Sequence, residues 1–246
     1  MIFVIVLIIT AVRIKSMDSH RISGRILAEN IADPGMLRLV EQSMQARARK
    51  TSVTEIAVKE RKYPQAALTF DDGPDIRYTP LLLDGLKERN VRVSFFLLGE
   101  KVEQYPELVE RMQKEGHLVG NHTYHHVQLD KLNETKAREE ILKTNNLIYE
   151  TTGVYPLSLR PPFGAWKKNL ELCVEMLPVF WTIDTLDWKV QNTEKIVRTV
   201  QEQIEDGAII LMHDEYDTSV EAALQVVDEL KNQGYELVTV DQLILP

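Results

Sequence analysis

From Tyr63 onward, short apolar runs alternate with amphipathic stretches in a repeating order. "AALTF" predicts a strand, and "TPLLLDGLKERN" a helix with Thr79 as its N-cap and Pro80 in its first turn. "VRVSFFLLG" predicts a strand, "YPELVERMQKEG" a helix closed by Gly116, and "HLVGNHT" a short strand. "NETKAREEILKTNNLIYETTG" predicts a long helix ending at Gly153, and "LSLRPPFG" a strand end. "NLELCVEML" predicts a helix, "VFWTIDTLDW" a strand, "TEKIVRTVQEQIEDG" a helix and "AIILMHD" a strand. "SVEAALQVVDELKNQG" predicts the last helix, and "YELVTVDQLIL" holds the last strand. Strand and helix alternate about seven times. That order predicts an α/β fold with a parallel sheet, curled into a closed or nearly closed (β/α) barrel.

The chain before Tyr63 has another texture. Residues 1–15 open with the unbroken apolar run "MIFVIVLIITAV", followed by Arg13 and Lys15. Twelve helical residues reach only about 18 Å, against a hydrocarbon core of roughly 30 Å. The run suits the apolar part of an export signal or a clipped membrane anchor whose true start lies upstream of Met1, although basic residues before it are missing. The competing reading is a buried N-terminal strand. Residues 16–62 are polar, and "MLRLVEQSMQARARK" fits a helical stripe only loosely. They read as a partly helical stalk or linker. Residues 63–246 form the expected catalytic-sized domain.

Composition narrows the function classes. The net charge of −8 argues against nucleic acid as a partner and leaves no basic stripe for an anionic membrane. The single cysteine, Cys173, excludes an internal disulfide framework and a cysteine-rich metal site.

The polar residues that stand out fall at one end of the expected strands. Asp71 and Asp72 follow the first, His122 follows "HLVG", Arg160 follows "LSL", Asp187 and Trp188 end "VFWTIDTLDW", and His213 ends "AIILM". In such a barrel, the C-terminal strand ends carry the active site. "HTYHH" offers His122 with His126 at a spacing of four, or with His125 at a spacing of three, and spacing alone leaves both pairings open. Two histidines and one aspartate make a ligand set with open positions, the pattern of a catalytic metal. Asp71 is then a candidate base and His213 a candidate acid. Arg160 is suited to holding Asp71 ionised and oriented, and Asp187 to keeping His213 protonated. Each residue alone is more often structural; together they point to a hydrolytic metal site.

"TFDDGP", "HTYHH", "RPPFG", "DTLDW" and "LMH", in this order, resemble the motifs of the polysaccharide deacetylases, the NodB-homology enzymes of carbohydrate esterase family 4. The resemblance covers roughly residues 64–244. It implies a deformed (β/α) barrel of about seven parallel strands that removes acetyl groups from N-acetylated sugars or from xylan, with a divalent metal. It implies Asp71 as base, Asp72 with His122 and His126 as metal ligands, and Thr123 as the brace of their loop. His125 is thereby set aside. It further implies Arg160 as the residue orienting the base and the Phe163 backbone N–H as oxyanion donor, at a position where many members carry Tyr. Asp187 would tune His213, the general acid, while Trp188 lines the groove and Leu211 lies under the acetyl methyl.

The implied chemistry is direct attack by metal-bound water on the acetamide carbonyl, with release of acetate and no covalent intermediate. Zinc is the expected ion, with cobalt, nickel or manganese able to substitute. The export hint and the expected polar stalk favour N-acetylglucosamine of peptidoglycan as substrate, and an extracellular or cell-wall site of action. Chitin oligomers and acetyl-xylan are the alternatives. Trp188 is a candidate sugar-stacking surface, whereas Trp166 and Tyr124 suit stacking or packing equally. A non-catalytic carbohydrate-binding surface protein is the alternative of another class.

Overall fold

A computed structural model of the chain describes residues 62–166 and 176–245. The expectations for the apolar N-terminal segment, the stalk, most of "NLELCVEML" and Cys173 lie outside these residues. Among the described residues, no helix is long and apolar enough to cross a membrane.

The described residues form a curled, all-parallel half-barrel. Its strands are β1 (Gln65–Asp71), β2 (Ser94–Leu97), β3 (Leu118–Asn121), β4 (Ser158–Leu159), β5 (Leu177–Pro178), β6 (Ile183–Asp184), β7 (Ala208–His213) and β8 (Glu236–Leu237). Seven of them run in the order β5-β4-β3-β2-β1-β7-β6, and β8 pairs with the start of β1. β5 and β6 lie at the two ends of this path, so the sheet curls without closing there among the described residues. β1 sits in the middle and is buried from Ala66 to Asp71, which is why its sequence is a continuous apolar run rather than an alternating one.

Helices cover the sheet: α1 (Tyr78–Glu88), α2 (Gly99–Gln104), α3 (Pro106–Lys114), α4 (Glu134–Thr152), α5 (Asp187–Val190), α6 (Thr193–Gln203), α7 (Asp217–Asn232) and α8 (Val240–Ile244). Phe70 and Phe95 stack at 5.4 Å between ring centroids in the main core, with Leu83, Met112 and Val226 in the same cluster. α4 begins at Asn133, whose side chain accepts from the Lys136 N–H, and ends at Gly153 in the left-handed conformation. Both ends match the sequence signals.

Four expectations change. Thr79 is not an N-cap: it lies one residue inside α1, and the Asp75 carboxylate accepts from the Arg77 and Tyr78 N–H groups instead. "VFWTIDTLDW" is strand only at Ile183–Asp184, because Leu186 takes a left-handed φ of 51° and the chain turns directly into α5. Leu177, the last residue of the expected "NLELCVEML" helix, opens β5. "YELVTVDQLIL" leaves its strand after Leu237, since Thr239 and Gln242 form a capping box that starts α8.

Strand register brings the reactive ends together. Asp71 pairs in register with Phe96 on one side and His213 on the other. Asn121 faces Leu97 and Leu159, so the chain leaves β3 and β4 at one level, toward His122 and Arg160. Gly120 permits this level. A Cβ there would stand 2.7 Å from the Phe96 ring and 3.1 Å from the Ser158 carbonyl oxygen. Gly120→Ala is expected to lower the unfolding free energy by about 1–3 kcal/mol through overpacking, read from urea denaturation with an unchanged slope.

Candidate active site

β1 ends in two carboxylates that the backbone sends to different partners. Asp71 is the last strand residue, buried, and its Oδ1 accepts from Arg160 Nη1 at 2.7 Å. Asp72 takes a φ of 69°, in the left-handed region. That turn releases it from the pleat that would otherwise aim the two side chains at opposite faces. Gly73 and Pro74 then carry the chain away.

Arg160 is fully buried. Its Nη1 also donates to Thr69 Oγ1 at 2.7 Å, and its guanidinium lies 4.3 Å from the Phe96 ring centroid. Burial pulls the Arg160 pKa down, and the Asp71 charge and hydrogen bond oppose that. An arginine stays protonated in such a site. Removing either partner of a buried pair of this kind costs about 3–5 kcal/mol.

Asp72 faces imidazoles. Its Oδ1 lies 3.3 Å from His122 Nε2 and 3.5 Å from His126 Nε2, and its Oδ2 lies 3.8 Å from His213 Nε2. Burial would raise its pKa; the close approach of His122 and the positive charge that His122, His126 and His213 carry when protonated outweigh it and hold the carboxyl well below its ordinary value. His122 Nδ1 lies 2.7 Å from the Arg160 carbonyl oxygen, which can only accept, so Nδ1 carries a proton and a neutral ring presents its lone pair at Nε2. Burial lowers the His126 pKa, against the charge of Asp72, which favours the neutral, ligating form.

Asp72, His122 and His126 offer one ligand atom each within 4.8 Å of one another. Asp72 Oδ1, at their centre, is buried with no hydrogen-bond partner among the described residues. An orphaned carboxylate oxygen between two imidazole nitrogens fits a divalent cation, whose charge would satisfy it. His125 is turned the other way, with Nδ1 2.7 Å from Glu140 Oε1. Residues 122–127 form no helical turn; Thr123 and His126 have φ values of 68° and 54°. Thr123 Oγ1 accepts from the Val127 N–H at 3.3 Å and so ties the loop together from just after His122 to just after His126.

His213, at the end of β7, has Nδ1 2.7 Å from Asp187 Oδ1, and its backbone N–H donates to Asp187 Oδ2 at 2.8 Å. Burial opposes the imidazolium, but the hydrogen bond to Asp187 and the charges of Asp187, Asp71 and Asp72 win, pushing the pKa up to about 9.

These groups open on a cavity of about 510 Å³, lined by Asp71, Asp72, His122, His126, Phe163, Trp188, Leu211 and His213 among others. Arg160 and Asp187 stand behind it, buried. Phe163 is exposed, with a left-handed φ of 60° and its ring centroid 4.5 Å from that of His126. Trp188 is 49% exposed at the rim, and Leu211 is buried in the wall. Tyr124 and Trp166 are not among the residues lining the cavity: the Tyr124 hydroxyl bonds Glu103 under the Lys143 ammonium, and Trp166 packs against the cluster of Leu129, Ala137, Ile141 and Leu159. Trp181, Asp184 and Glu215 also line the wall and carry no signal in the sequence that separates them from ordinary loop residues.

Asp214 is a further buried group. It lies against Gly73, where a Cβ would come within 2.5 Å of Asp214 Oδ1, and its Oδ2 accepts from the Thr79 hydroxyl. Burial pushes its pKa up to about 7, ahead of the opposing Thr79 hydrogen bond and Lys101 charge.

The polysaccharide deacetylase family model matches residues 59–180. The peptidoglycan-N-acetylglucosamine deacetylase PgdA of Listeria monocytogenes is 42% identical over 185 residues, 75% of this chain and 40% of that protein. A peptidoglycan-N-acetylglucosamine deacetylase of Bacillus cereus is 40% identical over 186 residues, 73% of this chain and 68% of that protein. The chain thus spans about two fifths of the Listeria relative. The structure of peptidoglycan deacetylase PdaC from Bacillus subtilis superposes with a TM-score of 0.72 at 42% identity, covering 74% of this chain and 90% of that one.

The His213 pair generates a pH test on the metal-free protein. A histidine with a folded pKa of about 9, against an ordinary 6.5, stabilises fully below 6.5 and loses that contribution as pH rises through 9. The unfolding free energy is expected to fall over this window, and to fall less in His213→Gln. NMR titration is expected to return the imidazole toward its ordinary range in Asp187→Asn.

Proposed function

The chain belongs to the polysaccharide deacetylase family, and from that premise we propose that it hydrolyses the acetamide of N-acetylglucosamine in peptidoglycan. The observation that carries this reading is the separation of the β1 carboxylates, Asp71 onto Arg160 and Asp72 onto His122 and His126, opposite a raised His213.

Asp72, His122 and His126 would hold one divalent ion, with zinc favoured by two imidazoles and a carboxylate and with cobalt, nickel or manganese as substitutes. When bound, such an ion supplies polarisation of the acetyl carbonyl and a more acidic water. The chain's own groups do the rest. Asp71 Oδ1 is held by Arg160, so Oδ2 is the oxygen left to take the proton of the attacking water. As the new C–O bond forms, the Phe163 N–H donates to the developing oxyanion. His213, protonated and aligned by Asp187, gives the Nε2 proton to the sugar nitrogen as the C–N bond breaks. Acetic acid leaves with the free amine and sheds its proton to solvent as acetate, and water returns the proton from Asp71 to His213. Leu211 gives the methyl an apolar floor, and Trp188 offers a face on which a sugar ring stacks.

The substrate preference follows the relatives named for peptidoglycan, and we infer work on the cell-wall side of the membrane, exported or anchored. Acetate release from peptidoglycan, chitin oligomers and acetyl-xylan, with and without chelator, tests class and substrate together. Peptidoglycan is expected to be the best substrate, with activity abolished by chelator and restored by Zn²⁺. Binding to glycan without acetate release would favour a carbohydrate-binding surface protein instead. Asp71→Asn is expected to lose turnover by about 10²–10⁴-fold yet keep the metal, whereas Asp72→Ala loses both. Equal metal loss in the two variants would overturn this division of roles.

A further inference from the structure

From His122 to Gln128 the chain is neither helix nor strand, and three residues of this loop separate His122 from His126. Two of its non-glycine residues, Thr123 and His126, hold left-handed φ values. Such backbone persists only where the surroundings over-determine it. The surroundings here are specific. The Thr123 N–H donates to Asn121 Oδ1 at 2.7 Å, and the Thr123 carbonyl accepts from the Gly99 N–H at 2.9 Å. The Tyr124 carbonyl accepts from the Glu100 N–H at 3.3 Å, so the start of α2 caps one side of the loop. Gly99 has no room for a side chain, since a Cβ would stand 3.1 Å from the Tyr124 Cα.

The other side is held by one carboxylate. Glu140 Oε2 accepts from the Tyr124 N–H at 3.0 Å and from the His125 N–H at 2.9 Å. Glu140 Oε1 accepts from His125 Nδ1 at 2.7 Å. Glu140 stands in the middle of α4, next to Ile141, which is fully buried in the core, so the carboxylate is offered from a rigid base. Its side chain is only 16% exposed, whereas His125 is 58% exposed. Three donors on consecutive positions of the loop therefore converge on one residue, and all lie between the two candidate ligands.

We propose that Glu140 is the positioning residue of the metal loop: by gathering the Tyr124 and His125 donors it turns His125 outward and leaves His122 and His126 aimed at Asp72. The inference rests on the metal reading above. It explains a choice that spacing leaves open, because His125 and His126 differ by the partner each finds rather than by reach. Loss of an outer-shell partner of this kind typically weakens metal binding by about 10–100-fold.

The test is Zn²⁺ affinity by chelator competition in the full chain, for the parent, Glu140→Ala, Glu140→Gln, His125→Ala and Asp72→Ala. Glu140→Ala is expected to bind Zn²⁺ about 10–100-fold more weakly, and Glu140→Gln about tenfold. His125→Ala keeps both backbone bonds and is expected to stay within about threefold of the parent. The visible spectrum of the Co²⁺-loaded protein is expected to change in Glu140→Ala at saturating metal, while the metal-free melting temperature stays near that of the parent. A purely structural glutamate would do the reverse. Should Glu140→Ala fail to fold, Glu140→Gln decides. A parent that binds Zn²⁺ while folded Glu140 variants bind it within twofold, with the same Co²⁺ spectrum, overturns the inference. A parent that binds no Zn²⁺, or an Asp72→Ala that binds it equally, overturns the metal reading itself.

Discussion

Two negative charges on adjacent residues at a strand end repel each other, and the rest of the site is arranged around that repulsion. Asp71 is neutralised from behind by the buried Arg160 guanidinium. Asp72 is turned by a left-handed backbone toward three imidazole nitrogens. Neither solution serves the other residue. On the proposed roles, a single arginine between the two carboxylates would leave no oxygen poised for a proton, and a shared set of imidazoles would leave no base distinct from the ligand. The separation costs a strained φ at Asp72 and a buried ion pair at Asp71, both of which surrounding structure must support.

That support comes from the sheet. β1 is central and pairs with β2 and β7, so Asp71 and His213 arrive side by side by register rather than by loop conformation. β4 brings Arg160 across the curl, and its own carbonyl fixes the tautomer of His122. One residue thus sets both the partner of Asp71 and the free nitrogen of His122. Gly73 lets the Asp214 carboxyl pack directly beneath the turn that follows Asp72. Rigid strand ends supply Asp71, Arg160 and His213. The His122–His126 pair depends instead on a loop clamped from outside by Asn121, α2 and Glu140.

The alternation of apolar and amphipathic segments made the parallel curl legible, because buried parallel strands and covering helices leave strong, distinct patterns. Asp71, Asp72, His122, Arg160, Asp187 and His213 were legible as polar residues at successive strand ends, and all of them meet around one cavity or directly behind it. Short elements were not. α8 was hidden by β-branched and apolar residues that read as strand, although Thr239 and Gln242 carried its capping box. The pairing within "HTYHH" was not legible from spacing, since spacing arguments assume a helix and the chain there is irregular. Glu140 was invisible for a similar reason: within "KAREEILK" it has the look of a solvated helix face. Its proposed role depends on loop donors that lie 15 residues earlier in the chain. Thr79 carried a real capping signal, but it falls inside α1, and Asp75, which precedes the first turn, accepts from the first N–H groups, leaving the Thr79 hydroxyl to donate to Asp214.

The division of labour between the two carboxylates is open to direct observation by anomalous diffraction at the zinc edge from crystals grown with Zn²⁺. One peak bounded by an Asp72 oxygen, His122 Nε2 and His126 Nε2, with Asp71 still on Arg160 and outside the coordination sphere, is the expected result. A peak coordinated by Asp71, or one bound by His125 in place of His126, would contradict it.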